Sequence, residues 1–285
     1  MITSYIYLFL AIFLWSLIPL ISKLAGIEVP LSIYLLLSNF LSFFITSIFI
    51  DFSKIKKNID KELIKRVAFF GFLGVFGYYL LLYYAYTISE DTILIVIVQY
   101  LWPSLMVLFS FLLLREPLSI KKILALFLAF LAFLLTATKG FSFLPSLSNI
   151  NALIVAFIAA NFFALYSVLS KKFVSKDIYL EVALTFLFAF FYSFIFYIFN
   201  RESFNFNLRG WIFILVNGLF INGISYLFWI KAIQKIELSI VAVYLFLTPL
   251  LGALWIILFL GVSLKSYYLF SLALIALSII LINRK

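Results

Sequence analysis

Residues 91–114 read DTILIVIVQYLWPSLMVLFSFLLL. After Asp91 no charge appears until Arg115. A helix of that length, at about 1.5 Å per residue, spans the roughly 30 Å of a bilayer's hydrocarbon. A strand of a membrane barrel would instead alternate polar and apolar over about ten residues. The run is therefore a membrane helix, with Gln99, Trp102 and Pro103 set in its interior.

The rest of the chain agrees. Of 285 residues, 67% are apolar or aromatic and 11% are charged, with a mean hydropathy of +1.25. That leaves too little polar surface to cover a water-soluble globule. There is no Cys and no His, which excludes a thiol nucleophile, an imidazole base and a zinc site built on either. No cofactor and no metal site is expected.

Charges and turn residues divide the chain into ten apolar runs: 3–22, 30–50, 64–86, 91–114, 119–138, 151–171, 179–199, 209–232, 238–261 and 265–283. The fold class expected is all-α integral membrane. The first run lacks a basic leader and a small-residue cleavage site and holds Trp15 and Pro19, so it reads as a retained helix. With the N-terminus cytoplasmic, 16 of the 21 Lys and Arg, Lys285 among them, fall on inner segments. Only Lys23, Lys139, Arg201, Arg209 and Lys265 fall outside. The positive-inside bias then places both termini in the cytoplasm of a plasma (inner) membrane. It also accounts for the formal charge of +10 without a nucleic-acid partner.

The ten runs split into five and five. Gly71, Tyr79, Ala85 and Glu90 match Gly218, Tyr226, Ala232 and Glu237 at one offset; Pro103 matches Pro249 one residue off it, and Ser22-Lys23 matches Ser170-Lys171. Five is odd, so the second copy enters from the opposite side. Two inverted five-helix repeats, 1–142 and 147–285, are expected, an arrangement that builds carriers around a central site.

The polar residues inside the runs are nearly all neutral. Every Asp and Glu falls in a loop or near a helix end, Glu28, Glu90 and Asp91 outside and Glu181 and Lys231 about one turn into their helices. Intramembrane charge is costly and kept for function; here no carboxylate is placed to carry a proton, and nothing basic is placed to meet a phosphate. Neutral polar groups must still find partners away from lipid. Asn222, Tyr226 and Trp229 stand at i, i+4, i+7, and so do Trp15, Pro19 and Ser22; Gln99 and Trp102 share a side. The expected solute site is Trp15, Tyr78, Gln99, Trp102, Asn161, Tyr166, Asn222, Tyr226 and Trp229 around one central space. Pro103 and Pro249 are the expected hinges, since each removes a helix hydrogen bond.

Ten helices with short loops and Arg115-Glu116-Pro117-Leu118-Ser119 after the proline helix resemble the drug/metabolite transporter superfamily, EamA type. The second half keeps Thr248-Pro249 but has Gly261-Val262 where that family often has Gly-Glu. Tyr100-Leu101-Trp102-Pro103-Ser104-Leu105, Ser225-Tyr226-Leu227-Phe228-Trp229 and Phe163-Ala164-Leu165-Tyr166 are similar to the aromatic amino-acid and paraquat exporter branch, with Phe163 where relatives often have Trp. The resemblance implies export of aromatic amino acids or related metabolites. The residues by themselves imply a carrier of a small neutral or zwitterionic organic solute, working by alternating access in the lipid bilayer. An enzyme is not expected. A membrane-embedded scaffold or assembly factor is the alternative, and oligomeric state is not legible.

Overall fold

A computed structural model describes residues 2–25, 29–89, 92–142, 149–261 and 263–284. Glu28, Glu90, Asp91, Val262 and Lys285 lie outside the described residues, and so do the side chains of Ser22 and Lys23. The described residues form helices and no strand. The main helices are α1 (Ile2–Ile21), α2 (Leu31–Ser47), α3 (Lys61–Thr87), α4 (Thr92–Leu114), α5 (Ile120–Ala137), α6 (Ile150–Lys172), α7 (Ile178–Asn200), α8 (Leu208–Ile233), α9 (Leu238–Leu260) and α10 (Ser266–Asn283). Each end falls within three residues of the expected run.

Nine of these are long and apolar enough to cross a membrane. The exception is α2, with 17 residues rather than the expected 21. Its C-terminal hydroxyls turn back on the helix, Thr46 donating to the Ser42 carbonyl and Ser47 to that of Phe43. Even so, α2 runs from one end of the bundle to the other. Ser32 bonds Glu202 at one end, and Phe49, just past the helix, stacks on Tyr179 at the other.

The helix starts are set by side-chain oxygens that satisfy the first free N–H groups. Asp60 accepts from Leu63, Asp177 from Tyr179 and Leu180, Asn149 from Asn151 and Ala152, and Asn207 from Gly210. Such caps belong where a helix meets water. Several helices end at a residue in the left-handed region: Arg115, Arg201 and Gly261, at φ 57°, 49° and 65°.

Packing follows small residues and is interleaved. Ala152, Ala156, Ala159, Ala160 and Ala164 make α6 smooth where it meets α3 and α4. Ala125, Ala129 and Ala132 do the same for α5 against α10. Close approach of this kind substitutes in lipid for a hydrophobic drive between helices. The leading partners of each helix lie in the other five: α1 packs on α8 and α9, α6 on α3 and α4, α2 on α7 and α8, α7 on α3, α5 on α10, and α4 on α9. Exchanging α1–α5 with α6–α10 maps these pairings onto one another.

Irregularities recur in matching helices. α3 widens into a π-helical stretch at Gly71–Phe76, and α8 does so at Asn217–Ile224. α4 breaks at Tyr100–Leu101, two residues before Pro103, and α9 breaks at Phe246, three before Pro249. α1 breaks at Leu17, two before Pro19. A proline donates no N–H, so these breaks leave the carbonyls of Trp15, Gln99 and Leu245 without their usual helical donor.

Candidate functional site

Near those breaks, α1, α3, α4, α6 and α8 bring an aromatic cluster together. Trp15 lies 5.2 Å from Trp229, 6.4 Å from Trp102 and 6.4 Å from Tyr226, measured between ring centroids. Phe163 sits among them, 4.8 Å from Trp102 and 4.8 Å from Tyr78. Tyr166 borders it, 5.9 Å from Phe163 and 6.1 Å from Tyr226. All of these residues are buried, and most contacts are edge-to-face or tilted, the geometry that aromatic quadrupoles favour.

Hydrogen bonds fix the rings. The Trp15 indole donates to the Ile221 carbonyl at 3.1 Å and to Ser225 Oγ at 2.8 Å. Tyr226 donates to the Gly74 carbonyl at 3.0 Å, and Ser42 to the Gly218 carbonyl at 2.8 Å. Three of these four acceptors, Ile221, Gly74 and Gly218, lie in the two π-helical stretches. Such stretches release backbone groups from the helix ladder and often mark working sites. Gly74 is obligatory here, because an added Cβ would stand 2.2 Å from Tyr166 Cγ.

Beside the cluster lie two neutral amide–phenol pairs. Gln99 Nε2 donates to the Tyr78 hydroxyl at 2.9 Å, and the Tyr79 hydroxyl donates to Asn222 Oδ1 at 2.8 Å. Tyr79 and Tyr83 are half-buried. Tyr83 is one turn before the end of α3, toward the Glu202 end. Tyr34 lies beside it, 5.1 Å from Tyr83 and 5.4 Å from Phe213.

The opposite end is tied by charges that join the halves. Lys171 of α6 pairs with Glu116 at 2.6 Å and donates to the Ile236 carbonyl. Glu116 also accepts from the Leu238 N–H at 2.8 Å. Lys122 of α5 pairs with Glu237 and donates to the Pro117 carbonyl at 2.7 Å. Arg66 of α3 pairs with Glu181 of α7 at 2.8 Å. Lys231 donates to the Tyr179 hydroxyl and lies over the Tyr179 and Tyr7 rings, 4.1 and 5.2 Å from their centroids.

Of the nine expected site residues, Trp15, Tyr78, Gln99, Trp102, Tyr166, Asn222, Tyr226 and Trp229 fall in or beside this assembly. Asn161 is placed apart. It shares a face of α6 with exposed Ile154, Phe157 and Ile158, and its amide donates to the Phe157 carbonyl at 2.8 Å. The sequence reading did not select Phe163, Tyr79, Tyr34 or Ser225. Ser225 was findable, three residues after Asn222 on the same polar stripe; Phe163 is one of 37 Phe and was marked only by the family resemblance, as a position where relatives often have Trp.

Comparison with known proteins now bears on these features. A model of the EamA-like transporter family matches residues 2–138 and 150–284. No curated protein matches the sequence. Among solved structures 28 chains match. One crystal structure superposes with a TM-score of 0.84 at 20% identity, covering 98% of this chain and 97% of that one. At that identity the likeness shows the fold alone.

Proposed function

The chain belongs to the EamA-like transporter family, integral membrane proteins that move small solutes and are not enzymes, and from that premise we propose that it carries aromatic amino acids or closely related metabolites by alternating access. The observation that carries the reading is the cluster of Trp15, Trp102, Phe163, Tyr226 and Trp229, drawn from helices of both halves, with the Gln99–Tyr78 and Asn222–Tyr79 pairs at its edge. Ring faces suit stacking and cation–π contact with an aromatic, cationic or zwitterionic solute. The amides suit an amino-acid head group.

The two halves, 1–142 and 147–285, act in this reading as inverted repeats with ten crossings, α2 included. Both termini lie in the cytoplasm of a plasma (inner) membrane. The charge-tied end is the cytoplasmic gate in its closed state, and the end that carries Tyr34 and Tyr83 is the outer approach. Rocking about the breaks before Pro103 and Pro249 exchanges the two. Export is the direction implied by the sequence likeness of the Tyr100–Leu105 stretch.

Counterflow in proteoliposomes tests this. Labelled tryptophan, phenylalanine or tyrosine should exchange saturably, and the conservative Trp102→Phe should lower exchange several-fold per amount of folded protein. Absence of exchange for every member of a panel of amino acids and nucleosides would refute the carrier reading and favour a scaffold.

A further inference from the structure

The middle of the cluster contains a hydrogen-bond donor with nothing to bond. Trp229 is fully buried, and among the described residues its Nε1 has no partner. Two neighbouring polar groups of the cluster differ. The Trp15 indole is doubly bonded and the Tyr226 hydroxyl is bonded. Buried polar groups are nearly always paired, and an orphan needs an explanation. Burying it unpaired is costly, and a Phe at this position would have avoided the cost.

A second buried orphan lies on α9, two residues past its break. Thr248 is buried and its Oγ1 is unpartnered. A helical Thr ordinarily bonds the carbonyl four residues back, as Thr46, Thr136, Thr138 and Thr185 do here. Thr248 precedes Pro249 as Trp102 precedes Pro103.

We propose that the Trp229 indole N–H is held unpaired for the solute, and that the solute presents a hydrogen-bond acceptor oxygen, a carboxylate or carbonyl, to it. An indole can only donate, so the group it meets must accept. With no cation in the cluster, a neutral donor is what the site offers to an anionic oxygen. This rests on the carrier reading above and adds what part of the solute is recognised. It makes Trp229 a specificity residue: an aromatic amine without the acid group makes the same ring contacts but leaves the N–H unmet.

The test is indole N–H NMR on the protein in lipid nanodiscs. The Trp229 resonance is assigned by its loss in Trp229→Phe, or, if that variant misfolds, by replacing the indole with its sulfur isostere benzothiophene. Two matched pairs are titrated: tryptophan against tryptamine, and leucine against its decarboxylated amine. Tryptophan should move the Trp229 proton downfield and tryptamine should not. In flux, Trp229→Phe should lose about tenfold for tryptophan, the worth of roughly one hydrogen bond, and little for tryptamine. If leucine alone moves the resonance, the acceptor inference stands and the aromatic reading fails. If neither acid moves it, or each acid and its amine act alike, the inference is overturned and the N–H is facing a neighbouring ring.

Discussion

Replacing Gly74 by Ala tests the joint between the π-helical stretch of α3 and the aromatic cluster. The new Cβ would lie 2.2 Å from Tyr166 Cγ and 2.5 Å from both Cδ atoms. Carbon atoms prefer about 3.5–4.0 Å, so the ring must retreat by more than about 1 Å. It has nowhere to go: Phe70, Phe163 and Tyr226 surround it at 5.5, 5.9 and 6.1 Å, and it is 2% exposed. Overpacking of this kind costs about 1–3 kcal/mol. Moving the ring also strains the Tyr226–Gly74 bond, worth about 1 kcal/mol. A total of about 3 kcal/mol corresponds to a melting temperature lower by roughly 6–12 °C. Intrinsic tryptophan fluorescence during thermal ramps in detergent measures it. The control is Tyr166→Ala, in which the added methyl has room; there Gly74→Ala should cost less than about 1 kcal/mol, a coupling expected of residues in contact. A melting temperature for Gly74→Ala within about a degree of the parent, or an equal loss in both backgrounds, would refute the reasoning.

Three further outcomes are expected. In this cysteine-free chain, Ser53→Cys and Ser203→Cys should react with an impermeant maleimide from opposite faces of the membrane; reaction from one face would end the proposed topology. Lys171→Met removes both the Glu116 pair and the donation to Ile236, so a cysteine at buried Ser239 should be labelled several-fold faster than in the parent background, and an unchanged rate would mean that these charges do not hold that end closed. Solute flux should vary less than about twofold between pH 5.5 and 8, because no His is present; a proton gradient that accelerates flux in the parent but not in Glu181→Gln would show the opposite.

The helices were legible because lipid forbids unpaired backbone. An uncharged run such as 92–114 has almost no other conformation open to it. Trp15, Trp102, Tyr226 and Trp229 were legible because polar aromatics at helical spacing need a shared side. Asn161 shows where this logic stops. In a helix whose lipid face and core face are both apolar, an amide on either face looks the same, and the i−4 carbonyl serves as its partner. The π-helical stretches were hidden for a different reason. Their glycines signal close packing, but the widening is fixed by tertiary acceptor bonds, Tyr226 to Gly74 and Ser42 to Gly218, which no local pattern encodes.

The interleaving of the helices has a consequence for biosynthesis. Chains are threaded into the membrane in order, and α1–α5 leave the ribosome before any of their leading partners exists. The Trp15 indole waits for Ser225, the Asn39 amide for Ser193 and Lys122 for Glu237. For about half of translation the early helices can only lodge singly in lipid, with polar groups unmet. The newborn first half is thus a natural client for an insertase that shelters such groups, and a ribosome stalled after α5 should yield a product that protease digests readily.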